Sequence, residues 1–198
     1  MPPRRIGLRA KAVIGWAGAL SLAFFAVGVP LGGGLRASLA SAAEAVPLEV
    51  AVKAAYVYKF APFIDWPSAS APTPAVVICV QGDDGFAGMV QRAVMGQQLG
   101  DRPYEVRRLV RVDAGAGCQI AYLAGSPVQS RTEALKALEH TGALTITDEA
   151  HGVGAKGIVH LVVSDGRVRF DIDNAAASRE GLSISSKLLS LAVHVRNR

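Results

Sequence analysis

Three places in this sequence hold residue types that chemistry could use. The first is Asp148-Glu149-Ala150-His151, three metal-ligating side chains in a run of four. A metal site needs ligand number and geometry, and no further ligand stands at a recognisable spacing, so the stretch reads as a solvated loop. It also spells a helicase box, but no Gly-x-x-x-x-Gly-Lys-Ser/Thr phosphate loop accompanies it. The second place is Gly82-Asp83-Asp84-Gly85-Phe86, which follows an apolar run and opens a helical pattern. At the carboxyl end of a parallel strand, such a turn is where α/β proteins take ligands. Glycines let a backbone approach closely and a helix start favours anions, whereas adjacent aspartates repel anions and cap a helix well. A capping turn is expected, with a small-molecule crevice at Gly82, Asp83, Asp84 and Phe86 as the alternative. The third place is the pair Cys79 and Cys118, each in an apolar run.

Nucleophilic catalysis finds little to work with. No Gly-x-Ser-x-Gly elbow occurs. Gly125-Ser126-Pro127 lacks the second glycine and reads as a helix start. His140, His151, His160 and His194 are scattered, and His160 alternates with apolar residues as a packed strand histidine would. No enzyme activity, cofactor or metal is expected.

The elements that would carry these residues follow from periodicity. Leu48–Ile64 has Val50, Ala54, Val57, Tyr58, Ala61 and Ile64 near helical spacing and stops before Trp66-Pro67, with Pro62 placed to kink or shorten its last turn. Ser68–Pro74 is a loop. Val76–Val80, Gln119–Leu123 and Ala143–Thr147 are short apolar strands of the kind covered on both faces, and Tyr104–Val110 is a more exposed one. Helices are expected over Phe86–Met95 and Pro127–His140. Ile158–Val163 and Val168–Ile172 flank Asp165-Gly166, a hairpin signal. Two helices close the chain, over Ala175–Arg179 and Ser185–Val195. The sum is a single α/β domain: a mostly parallel central sheet, helices on both faces, and a C-terminal β-hairpin and helix.

Charge is distributed in a way that bears on compartment. Residues 1–42 contain Arg4, Arg5, Arg9, Lys11 and Arg36 and no acid, while the rest of the chain balances 16 basic against 16 acidic side chains. The chain's basic character belongs to its start, which removes the main support for nucleic-acid binding. The early cations precede an uncharged run from Ala12 to Leu35, and Ala40-Ser41-Ala42 is a small-x-small cleavage pattern. Residues 1–42 are therefore expected to be a signal peptide, cut near Ala42/Ala43, with 43–198 exported. A retained N-terminal anchor is the alternative. In an oxidising compartment Cys79 and Cys118 point to one disulfide, worth about 4 kcal/mol on the chain-entropy model. Two buried free thiols are the other reading. Tyr56, Tyr58, Phe60, Phe63 and Trp66 are more aromatics than one helix face buries, which makes Tyr56, Phe60, Phe63 and Trp66 candidates for a partner surface.

Three stretches resemble the YfiR family of bacterial periplasmic proteins. They are Val52–Pro67 (VKAAYVYKFAPFIDWP), Ile78–Phe86 (ICVQGDDGF) and Gly157–Val195, where VRFDID leads to REGLSISSKLLSLAVHV. The combination of Arg-Phe-acid-Ile with Gly-Leu-x-Ile-Ser-Ser-x-Leu-Leu is the specific part. Cys79 and Cys118 fall where that family carries a disulfide. The chain departs from the pattern at Asp173-Asn174, where the family commonly has asparagine-leucine. The resemblance implies a periplasmic regulatory binding protein that represses a membrane-bound diguanylate cyclase through its periplasmic sensor domain and so lowers cyclic di-GMP, a signal for biofilm growth. It also implies an outer-membrane lipoprotein as a second partner, is compatible with a homodimer, and extends to related sensors in place of the cyclase. The competing function is a periplasmic small-molecule sensor or carrier using the crevice beside Gly82–Phe86.

Overall fold

The computed structural model describes residues 47–67 and 74–198. The expected signal peptide, its cleavage site and most of the Ser68–Pro74 loop lie outside the described residues. Helix α1, Leu48–Lys59, turns Ala54 and Val57 inward, followed by Phe60 and Ala61. The expected helix to Ile64 stops earlier because of Pro62. Proline has no N–H and crowds the carbonyl four residues back, so the backbone tightens into one 3-10 turn, Ala61–Phe63. Strand β1, Ile64–Asp65, follows.

The remaining elements are β2 (Val76–Gln81), α2 (Asp84–Ala93), β3 (Gln98–Leu99), β4 (Arg102–Leu109), β5 (Ile120–Leu123), α3 (Arg131–Ala137), β6 (Leu144–Asp148), β7 (Val159–Ser164), β8 (Arg167–Asp173), α4 (Asn174–Arg179), β9 (Ser183–Ile184), α5 (Ser186–Leu189) and β10 (Val195–Arg196). The main sheet runs β10-β8-β7-β6-β5-β2-β4-β3. Its centre, β4-β2-β5-β6-β7, is parallel, β8 returns antiparallel to β7, and β3 is antiparallel to β4. Strand β10 lies parallel to β8, and β1 pairs with β9 in a separate ribbon. The protein is thus α/β with a mixed, mostly parallel sheet.

Strand order reverses beside β2, the first parallel strand, which sits between the second and third. Right-handed crossovers then send α2 and α3 to opposite faces. Residue alternation shows it. Val76, Ile78 and Val80 of β2 join a large core with Phe86, Ala87 and Val90 of α2. Val77 and Cys79 join a smaller one with Ala134 of α3. The hairpin expected at Asp165-Gly166 forms, with φ of 52° and 67° in the left-handed region that a two-residue turn requires.

Two expected helices are much shorter than periodicity suggested. Pro127–His140 reduces to Arg131–Ala137, because Ser130 and Glu133 make a capping box. Gly125-Ser126-Pro127 is therefore not a helix start. Ser126 and Gln129 instead close a tight turn, the Ser126 N–H donating to the Gln129 carbonyl at 2.8 Å. The second case is Ser185–Val195, of which only Ser186–Leu189 is helical. The chain then leaves the helix to add Val195 and Arg196 to the open edge of β8, and Leu191 is 58% exposed. An unpaired sheet edge offers backbone bonds that a short helix with Val193 and Val195 at its end does not outcompete.

Candidate functional site

At the carboxyl end of β2 the Gly82 turn, the alternative ligand crevice of the sequence reading, lies against another loop of the chain. Gly82 has φ +83°, and a Cβ on it would stand 1.8 Å from the Gly125 carbonyl oxygen. The two glycine loops therefore touch backbone to backbone where strand order reverses. Gln81, fully buried, binds them together: its Oε1 accepts the Gly125 N–H at 3.0 Å and its Nε2 donates to the Gln129 carbonyl at 3.0 Å. Asp83 Oδ1 accepts the Phe86 N–H at 2.8 Å, the capping role expected of it. Asp84 is exposed, and Phe86 is buried with its ring stacked on Tyr122 at 4.1 Å between centroids.

Beside that turn, a group of ionisable and hydroxyl side chains meets at the strand ends. Lys53 projects inward from α1, where its Nζ lies 2.9 Å from Asp148 Oδ1 and 2.7 Å from Glu49. Asp148, the last residue of β6, also accepts the Tyr122 hydroxyl at 3.2 Å and the Ala150 N–H at 2.9 Å. Tyr122 in turn lies 3.0 Å from His151 Nε2, which is 3.6 Å from Asp83. Arg131 donates to the Asp148 and Gly152 carbonyls. Of the stretch Asp148–His151, expected to be a solvated loop, Glu149 and Ala150 are exposed and His151 half-buried, and only Asp148 departs from that reading. Asp148 is buried because Lys53 neutralises it, and Glu149 accepts the Val163 N–H. Among the described residues no three His, Cys, Asp or Glu side chains are arranged to hold a metal ion.

The electrostatics make this a fixed clamp. Burial draws the Lys53 pKa down, but hydrogen bonds and charge from Glu49 and Asp148 outweigh it and hold the ammonium above its ordinary value. Burial, then the Asp148 charge, pushes the Tyr122 hydroxyl far up, so it remains a proton donor. The cluster ties α1 to the ends of β5 and β6 through the Lys53–Asp148 pair and the Tyr122 hydroxyl. Periodicity had missed Lys53 and Tyr122, although a lysine between Val50, Ala54 and Val57, four residues after Glu49, was a readable sign.

The aromatic residues of α1 and its extension divide by location. Phe60 is 2% exposed and packs edge-on against Phe170 at 5.1 Å, so its ring belongs to the core and not to a partner surface. Tyr56 touches both Phe60 and Phe170 but remains half-buried. Phe63 and Trp66 are half-buried at the β1 end, with Lys187 Nζ 5.9 Å from the Phe63 ring centre. The Trp66 indole N–H has no hydrogen-bond partner among the described residues. Tyr58, expected on the apolar helical face, rests on Tyr104, whose hydroxyl donates to the Tyr58 carbonyl.

Cys79 and Cys118 are disulfide-bonded. The bridge holds the connection from β4 to β5, which crosses β2 with only a 3-10 turn at Ala114–Ala116 where a helix would normally lie. Gln129 supplements it: its side chain accepts the Val112 N–H and donates to the Val112 carbonyl, both at 2.8 Å. Open depressions lie elsewhere among the described residues. One, of about 390 Å³, has Lys156, His160, Asp171, His194 and Arg196 on its walls. Another, of about 430 Å³, runs between α1 and the β8 end of the hairpin.

Among known proteins, the family model described as YfiR/HmsC-like matches residues 50–193. No curated protein matches the chain. Among solved structures, a conserved domain protein from Vibrio cholerae O1 biovar El Tor strain N16961 is similar at 11% identity and a TM-score of 0.49. The match covers 74% of this chain and 60% of that one.

Proposed function

We propose, from the premise that this chain belongs to the YfiR/HmsC-like family, that it is a periplasmic regulatory protein restraining a membrane-bound diguanylate cyclase. It acts by binding the periplasmic sensor domain of the cyclase, or of a related sensor, and so lowers cyclic di-GMP. Residues 1–42 serve as the export signal, cut near Ala42/Ala43, and 43–198 form the single working α/β domain. An outer-membrane lipoprotein relieves the restraint by sequestering it. The match to the family over residues 50–193 carries this reading. Two features of the molecule support it. The ionisable groups at the strand ends are consumed in binding one another. The position where a doubly wound sheet would take a ligand is filled by the Gly82–Gly125 contact, which favours regulation by protein contact over the small-molecule carrier. Half-buried Tyr56, Phe63 and Trp66 remain available for a partner.

The test is intracellular cyclic di-GMP in the source bacterium, compared between wild type, a deletion of this gene and the complemented deletion. A rise on deletion, reversed only by a copy that is exported, is expected. An unchanged level across growth conditions would remove the regulatory reading.

A further inference from the structure

The outer edge of β8 is open along its first half. Phe170 and Ile172 direct their carbonyl and N–H groups away from β7, to Val193 and His194. Backbone direction alternates along a strand, so Val168 points the same way. Strand β10 pairs only with Ile172 and Asp173. Among the described residues nothing meets the outward N–H and C=O of Val168.

Charge on this strand is just as uneven. Along one face of β8, Asp173 is paired with Arg196 and Asp171 with Lys156. Arg169 and Arg167, the next two on that face, are exposed and have no carboxylate within salt-bridge distance among the described residues. On the other face, the cleft of about 430 Å³ is lined by Leu48, Val52, Tyr56 and Val168. Leu48 is 79% exposed, and the acid beside it, Glu49, is already engaged by Lys53.

We propose that the free edge of β8 is the docking site for an extended segment of a partner protein that alternates acidic and apolar side chains. The segment adds as a further strand. Its backbone bonds Val168, its acidic side chains face Arg167 and Arg169, and its apolar side chains enter the α1 cleft. Edge addition draws affinity from main-chain bonds and specificity from alternate side chains, and here each of the three sets finds its complement. The inference rests on the regulatory reading and places the partner surface within it.

The test uses the purified exported protein and a capped peptide of alternating valine and glutamate. Fluorescence anisotropy should show binding that weakens with salt. Val168→Pro removes the outward N–H and leaves an apolar ring at the cleft, a substitution an edge strand tolerates. It should weaken binding about tenfold or more while thermal melting stays unchanged. The pair Arg167→Glu and Arg169→Glu should lose this peptide and bind one with lysine in place of glutamate. Amide exchange at Val168 should be fast in the free protein and slow in the complex. Wild-type binding by Val168→Pro would overturn the proposal. So would a Val168 amide already protected in the free protein, because the edge would then belong to the chain's own N-terminal residues or to a second copy. Cyclic di-GMP separates the two failures. If deletion raises it and exported Val168→Pro restores the wild-type level, the docking site is wrong and the regulatory reading stands. If deletion changes nothing, the regulatory reading fails and the peptide results alone decide the edge.

Discussion

The two faces of the sheet are closed by different means. One face is apolar from β2 to β8: Val76, Ile78, Ile120, Leu144, Val159, Leu161, Phe170 and Ile172 form a continuous layer under α1 and α2. The other is apolar only at its centre, where Cys79, Ala121 and Leu123 lie under α3 and the stapled crossover. Beyond β5 it turns polar, with Thr145, Thr147 and His160 all buried. The first face needs nothing but contact area. The second lacks a helix over β2 and substitutes a covalent bond, together with a glutamine that pairs with a backbone as a strand would. Its polar half is held by hydroxyls: Thr145 Oγ1 accepts the Ile158 N–H and Thr147 Oγ1 the Gly157 N–H. Hydrophobic burial tolerates small geometric errors, whereas each of these polar contacts fails singly and completely.

The largest effect should come from the first face. Phe60→Ala removes a ring that touches Phe170 and Tyr56, and a cost of about 3–5 kcal/mol is expected from lost transfer energy and the cavity left behind. Urea unfolding measures it, and a loss within experimental scatter would mean that the first face repacks as freely as the second. Next in size is the bridge. Replacing both Cys79 and Cys118 by serine should cost about 2–4 kcal/mol, the upper value being that of the chain-entropy model for this loop. The loss should also be local. Amide exchange should rise first in the β4–β5 crossover and α3, with α1 and α2 unaffected until global unfolding. Equal acceleration on both faces would erase the distinction drawn between them.

Legibility in the sequence tracks the same division. Strands β2, β5, β6, β7 and β8 were readable because each has a run of apolar or alternating residues closed by a turn signal, and Asp165-Gly166 marks its turn unaided. The crossover helix α2 was readable to within two residues. The end of the chain was not. Leu188, Leu189, Leu191, Ala192 and Val195 fit a helical stripe, but the vacancy that captures Val195 is on β8, and no local pattern reports an open edge. The site divided similarly. The cap at Asp83 follows from local spacing, and the disulfide was expected from compartment. The burial of Asp148 depends on Lys53, 95 residues earlier, and on Tyr122, partners that only the folded topology brings within reach.

The smallest effect tests the polar half of the second face through pH. Thr147 Oγ1 accepts the Gly157 N–H at 2.9 Å, so its own hydrogen is free for His160 Nδ1, also at 2.9 Å. Donated that way, the hydrogen bond has Nδ1 as acceptor and favours the neutral imidazole. Burial, with Lys156 and Arg131 adding to it, lowers the His160 pKa below 6.5 against the opposing pull of Asp171 and Asp148. The unfolded chain therefore binds a proton at His160 before the native protein does, and stability falls as pH drops below the ordinary histidine value. The fall ends where the native imidazole itself protonates. Asp173 does not blur this window: its carboxyl is held below 3.8, against burial, by Arg196 and the Ala176 N–H, so its contribution is lost only in stronger acid. Urea midpoints for wild type should therefore decline as pH falls through the ordinary histidine value of 6.5. His160→Gln, which can keep a hydrogen bond to Thr147 without titrating, should flatten that part of the curve. An identical slope in the variant would show that the polar half tolerates a charge at His160, and that its hydroxyl contacts are not the constraint they are taken to be.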